Sequence, residues 1–173
     1  MTTLRTARLV LETLTADEAA AIREGDRAGR AWAEDYPSEG DVFVAGVVGE
    51  AGEHYDESTV LGILQIRLAG SGLAVGGIGF LSAPDDDGSA EVGYGLVASA
   101  RGQGLATEAL EAVLALAAAQ GLSTVVALTA VDNVASQRVL GRCGFVRRDT
   151  LDVGDEGPMI RWVRNLESEF IAR

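Results

Sequence analysis

The sequence predicts an α/β fold formed by one domain over residues 1–173, and three observations carry that prediction. Residues 90–97, AEVGYGLV, read as a strand. That strand leads through a glycine-rich turn, Arg101-Gly102-Gln103-Gly104-Leu105-Ala106-Thr107, into a helical pattern that runs to Gln120. Apolar runs at 60–68, 73–81 and 123–130 have strand composition. A chain of 173 residues is most simply one domain, large enough to bury its own core.

In order along the chain, ARLVLET at 7–13 alternates as a first strand. Thr15-Ala16-Asp17-Glu18 is a capping-box pattern that opens a helix to about Gly25. Arg27 to Asp35 continues as a second helical piece. Tyr36-Pro37-Ser38-Glu39-Gly40 reads as a turn or loop, because Pro37 has no N–H and disfavours helix at Tyr36. DVFVAGVVGE at 41–50 is open between strand and helix. Ala51 to Thr59 is an acidic loop holding His54 and Tyr55. The runs at 60–68 and 73–81 are adjacent strands joined by Ala69-Gly70-Ser71-Gly72. Gly76, Gly77 and Gly79 mark a bulge or a close backbone approach in the second. Ala83 to Ser89 is a turn, and its Asp85-Asp86-Asp87 run is a solvated tip without calcium-loop spacing.

In the strand at 90–97, Glu91, Gly93, Gly95 and Val97 share one face, and Val92, Tyr94 and Leu96 share the other. Two glycines beside a carboxylate leave space over that face, and a bulge here would splay the strand and release backbone N–H groups. The following helix carries Leu105, Ala109, Val113 and Leu116 along one stripe, with Leu110 and Leu114 beside it and Glu108 and Glu111 off it. Gly121 is its C-cap. Asn133 caps the next helix, which ends near Arg142-Cys143-Gly144. Phe145 to Leu151 and Met159 to Arg164 are two last strands around a turn at Gly154-Asp155-Glu156-Gly157-Pro158, and the tail to Arg173 carries no readable chemistry.

A strand, a glycine-rich turn and a helix together make a device for holding an anion. The first helical turn leaves backbone N–H groups without partners, the helix dipole adds positive potential, and Gly102 and Gly104 let a phosphate come close. Arg101 adds a fixed charge. No Gly-Lys-Ser/Thr follows, so the turn is not a P-loop, and Thr107 stands where a dinucleotide fingerprint needs its third glycine. The Arg-x-x-Gly-x-Ala pattern of Arg101 to Ala106 resembles the acetyl-CoA pyrophosphate loop of the GNAT N-acetyltransferase superfamily. Asp132-Asn133-Val134-Ala135-Ser136-Gln137-Arg138-Val139-Leu140, closing on Gly144-Phe145, resembles the family's Asn-x-x-Ser/Ala helix. The resemblance covers roughly residues 60–165, and within the superfamily it leans to the ribosomal-protein N-terminal acetyltransferases.

That resemblance implies a mixed, mostly antiparallel, splayed sheet flanked by helices, and it favours a helix at 41–50. It implies an acetyl-CoA-dependent N-acetyltransferase in which a primary amine attacks the thioester directly. Cofactor contacts fall on Leu96, Val97, Arg101, Gly102, Gln103, Gly104, Leu105, Ala106, Thr107, Asn133 and Ser136. Trp32 and Tyr36, among the acids Glu34, Asp35, Glu39 and Asp41, stand where the family walls its acceptor site; Trp32 equally reads as a core plug. Glu91 is the candidate base, or else a strand-edge carboxylate paired with arginine. The family's thiolate-protonating tyrosine is missing, since Cys143 through Val153 contains none. Ser136 is the second catalytic candidate, as in relatives that acetylate ribosomal-protein amines, and Tyr94 is a weaker one. Asn133 and Ser136 are each explained as well by helix capping.

The bulk numbers narrow the alternatives. A net charge of −12 argues against nucleic acid, whose phosphates dominate such binding. The same charge suits a cationic small-molecule or peptide amine, or simply solubility. No apolar run approaches the ~20 residues a membrane helix needs. The start, MTTLRTARLVLET, lacks a signal-peptide pattern, so a cytoplasmic location is expected. One cysteine, Cys143, and one histidine, His54, leave no internal disulfide and no expected metal site. A homodimer is compatible with the sequence. A non-catalytic acyl-CoA-binding or regulatory module on the same fold is the alternative, and a nucleotide-binding protein is disfavoured by the missing phosphate lysine.

Overall fold

The computed structural model describes residues 1–154 and 157–166. Its strands are β1 (Thr3–Arg5), β2 (Leu9–Thr13), β3 (Ile63–Leu68), β4 (Ala74–Phe80), β5 (Ser89–Leu96), β6 (Thr124–Ala130), β7 (Val146–Asp152) and β8 (Pro158–Asn165). The helices are α1 (Ala16–Glu24), α2 (Glu39–Ala51), α3 (Leu105–Ala119) and α4 (Val134–Arg142). The sheet order is β1-β2-β3-β4-β5-β6-β8-β7. β5 pairs with β6 in parallel, while β1–β2, β2–β3, β3–β4, β6–β8 and β7–β8 are antiparallel. The fold is therefore a single α/β domain with a mostly antiparallel open sheet.

Within it, contacts gather into two compact units. The first holds Met1–Gly79 with Tyr94–Ala109, and the second Phe80–Gly93 with the chain from Leu110 onward. In the first, Leu9 and Leu11 of β2 and Leu64 and Ile66 of β3 are almost fully buried, which is the alternation of half-covered strands. β4 is buried on both faces, and its register against β3 shifts between Ile66 and Arg67, where Val75 is the extra residue. The glycines there answer to close packing. A Cβ on Gly76 would overlap the carbonyl oxygen of Gly95.

In the second unit, the β5–β6 ladder covers three pairs, from Ser89↔Thr124 to Glu91↔Val126. Val125, Ala127 and Thr129 of β6 face the core, and Trp162 Nε1–H donates to the Thr129 hydroxyl at 3.0 Å. β7 is exposed along its whole length; its charges and a register irregularity between Arg147 and Thr150 blunt an edge that would otherwise invite pairing.

The helices mostly follow their local signals. The Thr15 hydroxyl caps α1 by accepting from Glu18 N–H at 3.1 Å. The second half of that predicted capping box does not form, because the Glu18 carboxylate turns inward. A full box forms instead at Ser38 and Asp41, so α2 starts inside the stretch expected to be loop, and 41–50 is helical. The helical piece expected at 27–35 is absent: Ala28 and Gly29 form a turn closed by Arg30 N–H on Arg27 O at 3.2 Å, and Trp32 bridges to Ala74 beside the sheet. Burying Trp32 outweighs the helical tendency of that segment. α3 ends at Gly121 (φ +84°) in a Schellman arrangement, with Leu122 N–H on Ala117 O at 3.1 Å and Gly121 N–H on Ala118 O at 3.0 Å. Its buried stripe continues through Ala117 rather than the half-buried Leu116. β1 lies ahead of the first strand read from the sequence, and Asp155 and Glu156 of the last predicted turn lie outside the described residues.

Candidate active site

The glycine-rich turn lies in the first unit and is built from the end of β5. The Leu96 and Val97 side chains are buried, and Val97 N–H donates to Val75 O at 2.9 Å. A ligand at these two positions would meet main chain. A single 3₁₀ turn at Ala98–Ala100 follows, then the exposed run Arg101–Gly104. Gly102 (φ +75°) and Gly104 (φ +77°) take left-handed dihedrals that side chains rarely adopt. Gly104 precedes Leu105, the first residue of α3, and the helix's first backbone bond runs from Glu108 N–H to Gly104 O at 3.1 Å. The amides of Leu105, Ala106 and Thr107 thus precede any intrahelical bond of their own. α1, α2 and α4 are each capped by a side chain, from Thr15, Ser38 and Asn133. At α3 the corresponding residue is a glycine, which has no side chain to offer.

The turn is held from three sides. Arg101 Nε–H donates to Leu96 O at 2.9 Å. The Asp35 carboxylate accepts from Ser99 N–H at 2.9 Å and from its hydroxyl at 2.7 Å, and these two bonds hold its pKa below the ordinary aspartate value. Gln103 Nε2–H in turn donates to Ser99 O at 3.2 Å. On the third side Arg8 Nη1–H donates to Gln103 O at 2.8 Å, while Arg8 Nε–H reaches Glu108 Oε2 at 2.7 Å. Glu108 also accepts from the Thr6 hydroxyl at 2.5 Å and from Arg8 N–H at 2.8 Å. Burial pushes the Glu108 carboxyl up, but these donors outweigh it and lower its pKa. Thr6, Arg8 and Ser99 carry no local sequence signal for this role, and Glu108 reads from sequence only as a residue off the apolar stripe.

Trp32 and Tyr36 belong to the same unit and are 6% and 2% exposed, packed edge to face with centroids 5.3 Å apart. Their polar ends are engaged. Trp32 Nε1–H donates to Glu18 Oε1 at 2.6 Å, and Gln65 Nε2 donates to both Glu18 Oε1 and the Tyr36 hydroxyl at 3.0 Å. Arg30 pairs with Glu18, and the Arg27 guanidinium lies 5.6 Å from the centre of the Trp32 ring. Burial pushes the Tyr36 phenol pKa up. Glu34, Asp35 and Glu39 are exposed, whereas Asp41 is buried and its pKa is raised by desolvation.

Glu91, Asn133 and Ser136 belong to the second unit. Glu91 is half-buried on β5, and its carbonyl accepts from Leu81 N–H at 3.0 Å. Asn133 is the N-cap of α4, its Oδ1 accepting from Ser136 N–H at 3.1 Å, and Ser136 lies half-buried in the first turn. Burial, with Glu111 adding to it, pushes the Cys143 thiol to a pKa of about 11, so it is not a thiolate nucleophile at neutral pH. His54 is exposed. Among the described residues no group of three His, Cys, Asp or Glu side chains is arranged to hold a metal, and no helix is long and apolar enough to cross a membrane.

Comparison with known proteins agrees with this geometry. A family model described as an acetyltransferase (GNAT) domain matches residues 8–146. An uncharacterized N-acetyltransferase, YjdG of Bacillus subtilis (strain 168), is 36% identical over 73 residues, 42% of this chain; the match spans 44% of that relative's length. An acetyltransferase from Agrobacterium tumefaciens str. C58 superposes with a TM-score of 0.67 at 26% identity, covering 95% of each chain. RimL, a ribosomal L7/L12 α-N-protein acetyltransferase solved in complex with coenzyme A, superposes with a TM-score of 0.66 at 20% identity, covering 95% of this chain and 98% of its own. The family model spans well over half of the sequence and includes the turn at the start of α3, so the chain belongs to the GNAT acetyltransferase domain family, whose chemistry is acetyl transfer.

Proposed function

We propose that the 173 residues form one N-acetyltransferase domain that moves the acetyl group of acetyl-CoA to a primary amine on a small molecule or a peptide. The observation that carries this is the start of α3. Its N-cap is Gly104 in a left-handed conformation, a residue with no side chain of its own to cap the helix, and Arg101 precedes it in the same turn. Backbone amides there suit the cofactor's pyrophosphate, and the main chain at Leu96 and Val97 suits its pantetheine arm. Family membership and a coenzyme A complex of the same fold support the choice of thioester.

The chemistry asks for little. The amine nitrogen attacks the acetyl carbonyl, the carbonyl electrons collapse back, and the carbon–sulfur bond breaks to release CoA thiolate. Glu91, directly or through water, takes the proton the amine loses, and Ser136 gives a hydrogen bond to the departing sulfur. Trp32 and Tyr36 fix the wall of the acceptor side through their packing rather than through their polar ends, which are engaged internally. A chain with one cysteine suits a cytoplasmic enzyme.

Calorimetric titration with CoA and acetyl-CoA tests the cofactor, and thiol release over a panel of amines tests turnover. Gly104→Trp is expected to lose binding by about a hundredfold or more. Gly121→Ala, which strains another left-handed glycine at the far end of the same helix, keeps it. Wild-type protein that binds no CoA overturns the reading. CoA binding with no thiol release for any amine leaves the non-catalytic module.

A further inference from the structure

The guanidinium of Arg8 has three kinds of donor, and two are spoken for: Nε–H by Glu108 and Nη1–H by the Gln103 carbonyl. Nη2 lies 3.6 Å from where a Cβ on Gly104 would stand. The side chain is 50% exposed, and Nη2 takes no acceptor among the described residues. Arg8 is thus pinned by a carboxylate and a carbonyl, with Nη2 standing beside the Gly104 N-cap. The position of Glu108 adds to this. That carboxylate sits in the first turn of α3, 17% exposed, where a bound anion would feel it. Arg8 neutralises it at 2.7 Å.

Resting on the cofactor assignment above, we propose that Arg8 is a phosphate-binding residue of the acetyl-CoA site: it presents Nη2–H to the pyrophosphate and screens that pyrophosphate from Glu108. The second role sets the sign of a test that a purely structural strut would fail. Losing Arg8 uncovers a carboxylate next to the anion. Losing the Glu108 charge, with Arg8 still present, removes a repulsion.

The experiment is a double-mutant cycle read by CoA titration, with Arg8→Ala, Glu108→Gln and the pair. It is run beside kinetics with acetyl-CoA and with S-acetylpantetheine, a thioester donor that carries no phosphate. Arg8→Ala is expected to weaken CoA about tenfold or more, the scale of a lost charge-assisted contact. Glu108→Gln, which keeps an acceptor for the Arg8 and Thr6 donors, costs less CoA affinity than Arg8→Ala, and added to Arg8→Ala it restores part of the loss. The preference in kcat/KM for acetyl-CoA over S-acetylpantetheine falls about tenfold in Arg8→Ala. If Arg8→Ala folds poorly, Arg8→Gln replaces it in the cycle. Equal CoA affinity in wild type and Arg8→Ala, equal losses for both donors, or a Glu108→Gln variant that binds as weakly as Arg8→Ala would each overturn the proposal alone. A wild type that binds no CoA overturns the cofactor assignment, and this proposal with it.

Discussion

Two carboxylates of the same unit, the half-buried Glu18 and the buried Asp41, respond to pH in opposite directions, and their surroundings say why. Glu18 is pushed up by burial, but hydrogen bonds from Gln65 and Trp32 and the charge of Arg30 outweigh this, so its folded pKa lies below the ordinary 4.5. Its contribution to stability is present above pH 4.5 and is lost as pH falls through the lower folded value. For Asp41, burial wins over the bonds from Ser38, and the folded pKa lies above 3.8. Its charged form is disfavoured in the fold, so stability falls as pH rises from 3.8 through the raised value. In urea denaturation at pH 7, Glu18→Gln is expected to lose about 2 kcal/mol, because it leaves Arg30 and Arg67 underpaired. That deficit shrinks toward pH 3. Asp41→Asn, which can keep the cap on Ser38, moves the other way and gains relative to wild type between pH 3 and 7. Parallel pH profiles for the two variants would contradict this account.

The elements are where sequence and structure agree most closely, because most of their signals are local. Thr15, Gly104, Gly121 and Asn133 mark helix ends by their own chemistry, and each stands at the expected end. The misses come from tertiary demands on short stretches. Trp32 pulls 27–35 out of helix, and Ser38 with Asp41 starts α2 inside a stretch that Pro37 marked as loop. Asn133 shows how one residue can answer to two demands. Its Oδ1 is committed to the Ser136 amide, which accounts for the cap and leaves the side-chain NH2 as the group a cofactor arm could use. Asn133→Ser preserves an N-cap, whereas Asn133→Ala removes it at a cost of about 1 kcal/mol. If the amide contacts the cofactor, both variants raise KM for acetyl-CoA severalfold while only Asn133→Ala lowers Tm. An unchanged KM in Asn133→Ser would make Asn133 a cap and nothing more.

For the molecule as a whole, the legible part of the candidate site is the part contiguous in sequence. The turn from Arg101 to Thr107 declares itself through its glycines and the helix behind it. The residues that hold it come from far away: Arg8 meets Glu108 across 100 positions and Ser99 meets Asp35 across 64. No spacing rule connects such pairs. Charge is the other property of the whole chain. All 14 cationic residues are arginine, so with a single histidine the basic charge is fixed across the working pH range, set against 26 carboxylates. The resulting −12 either draws cationic acceptors toward the protein or serves only to keep it soluble. Ionic strength separates these. If steering operates, kcat/KM for a multiply charged amine such as a polyamine falls severalfold between about 20 mM and 500 mM salt, as the Debye length shrinks from about 20 Å to a few ångströms. A neutral-flanked peptide amine, with a single charge to attract, shows a much smaller fall under the same conditions. Equal salt profiles for the two acceptors would assign the acidic balance to solubility alone.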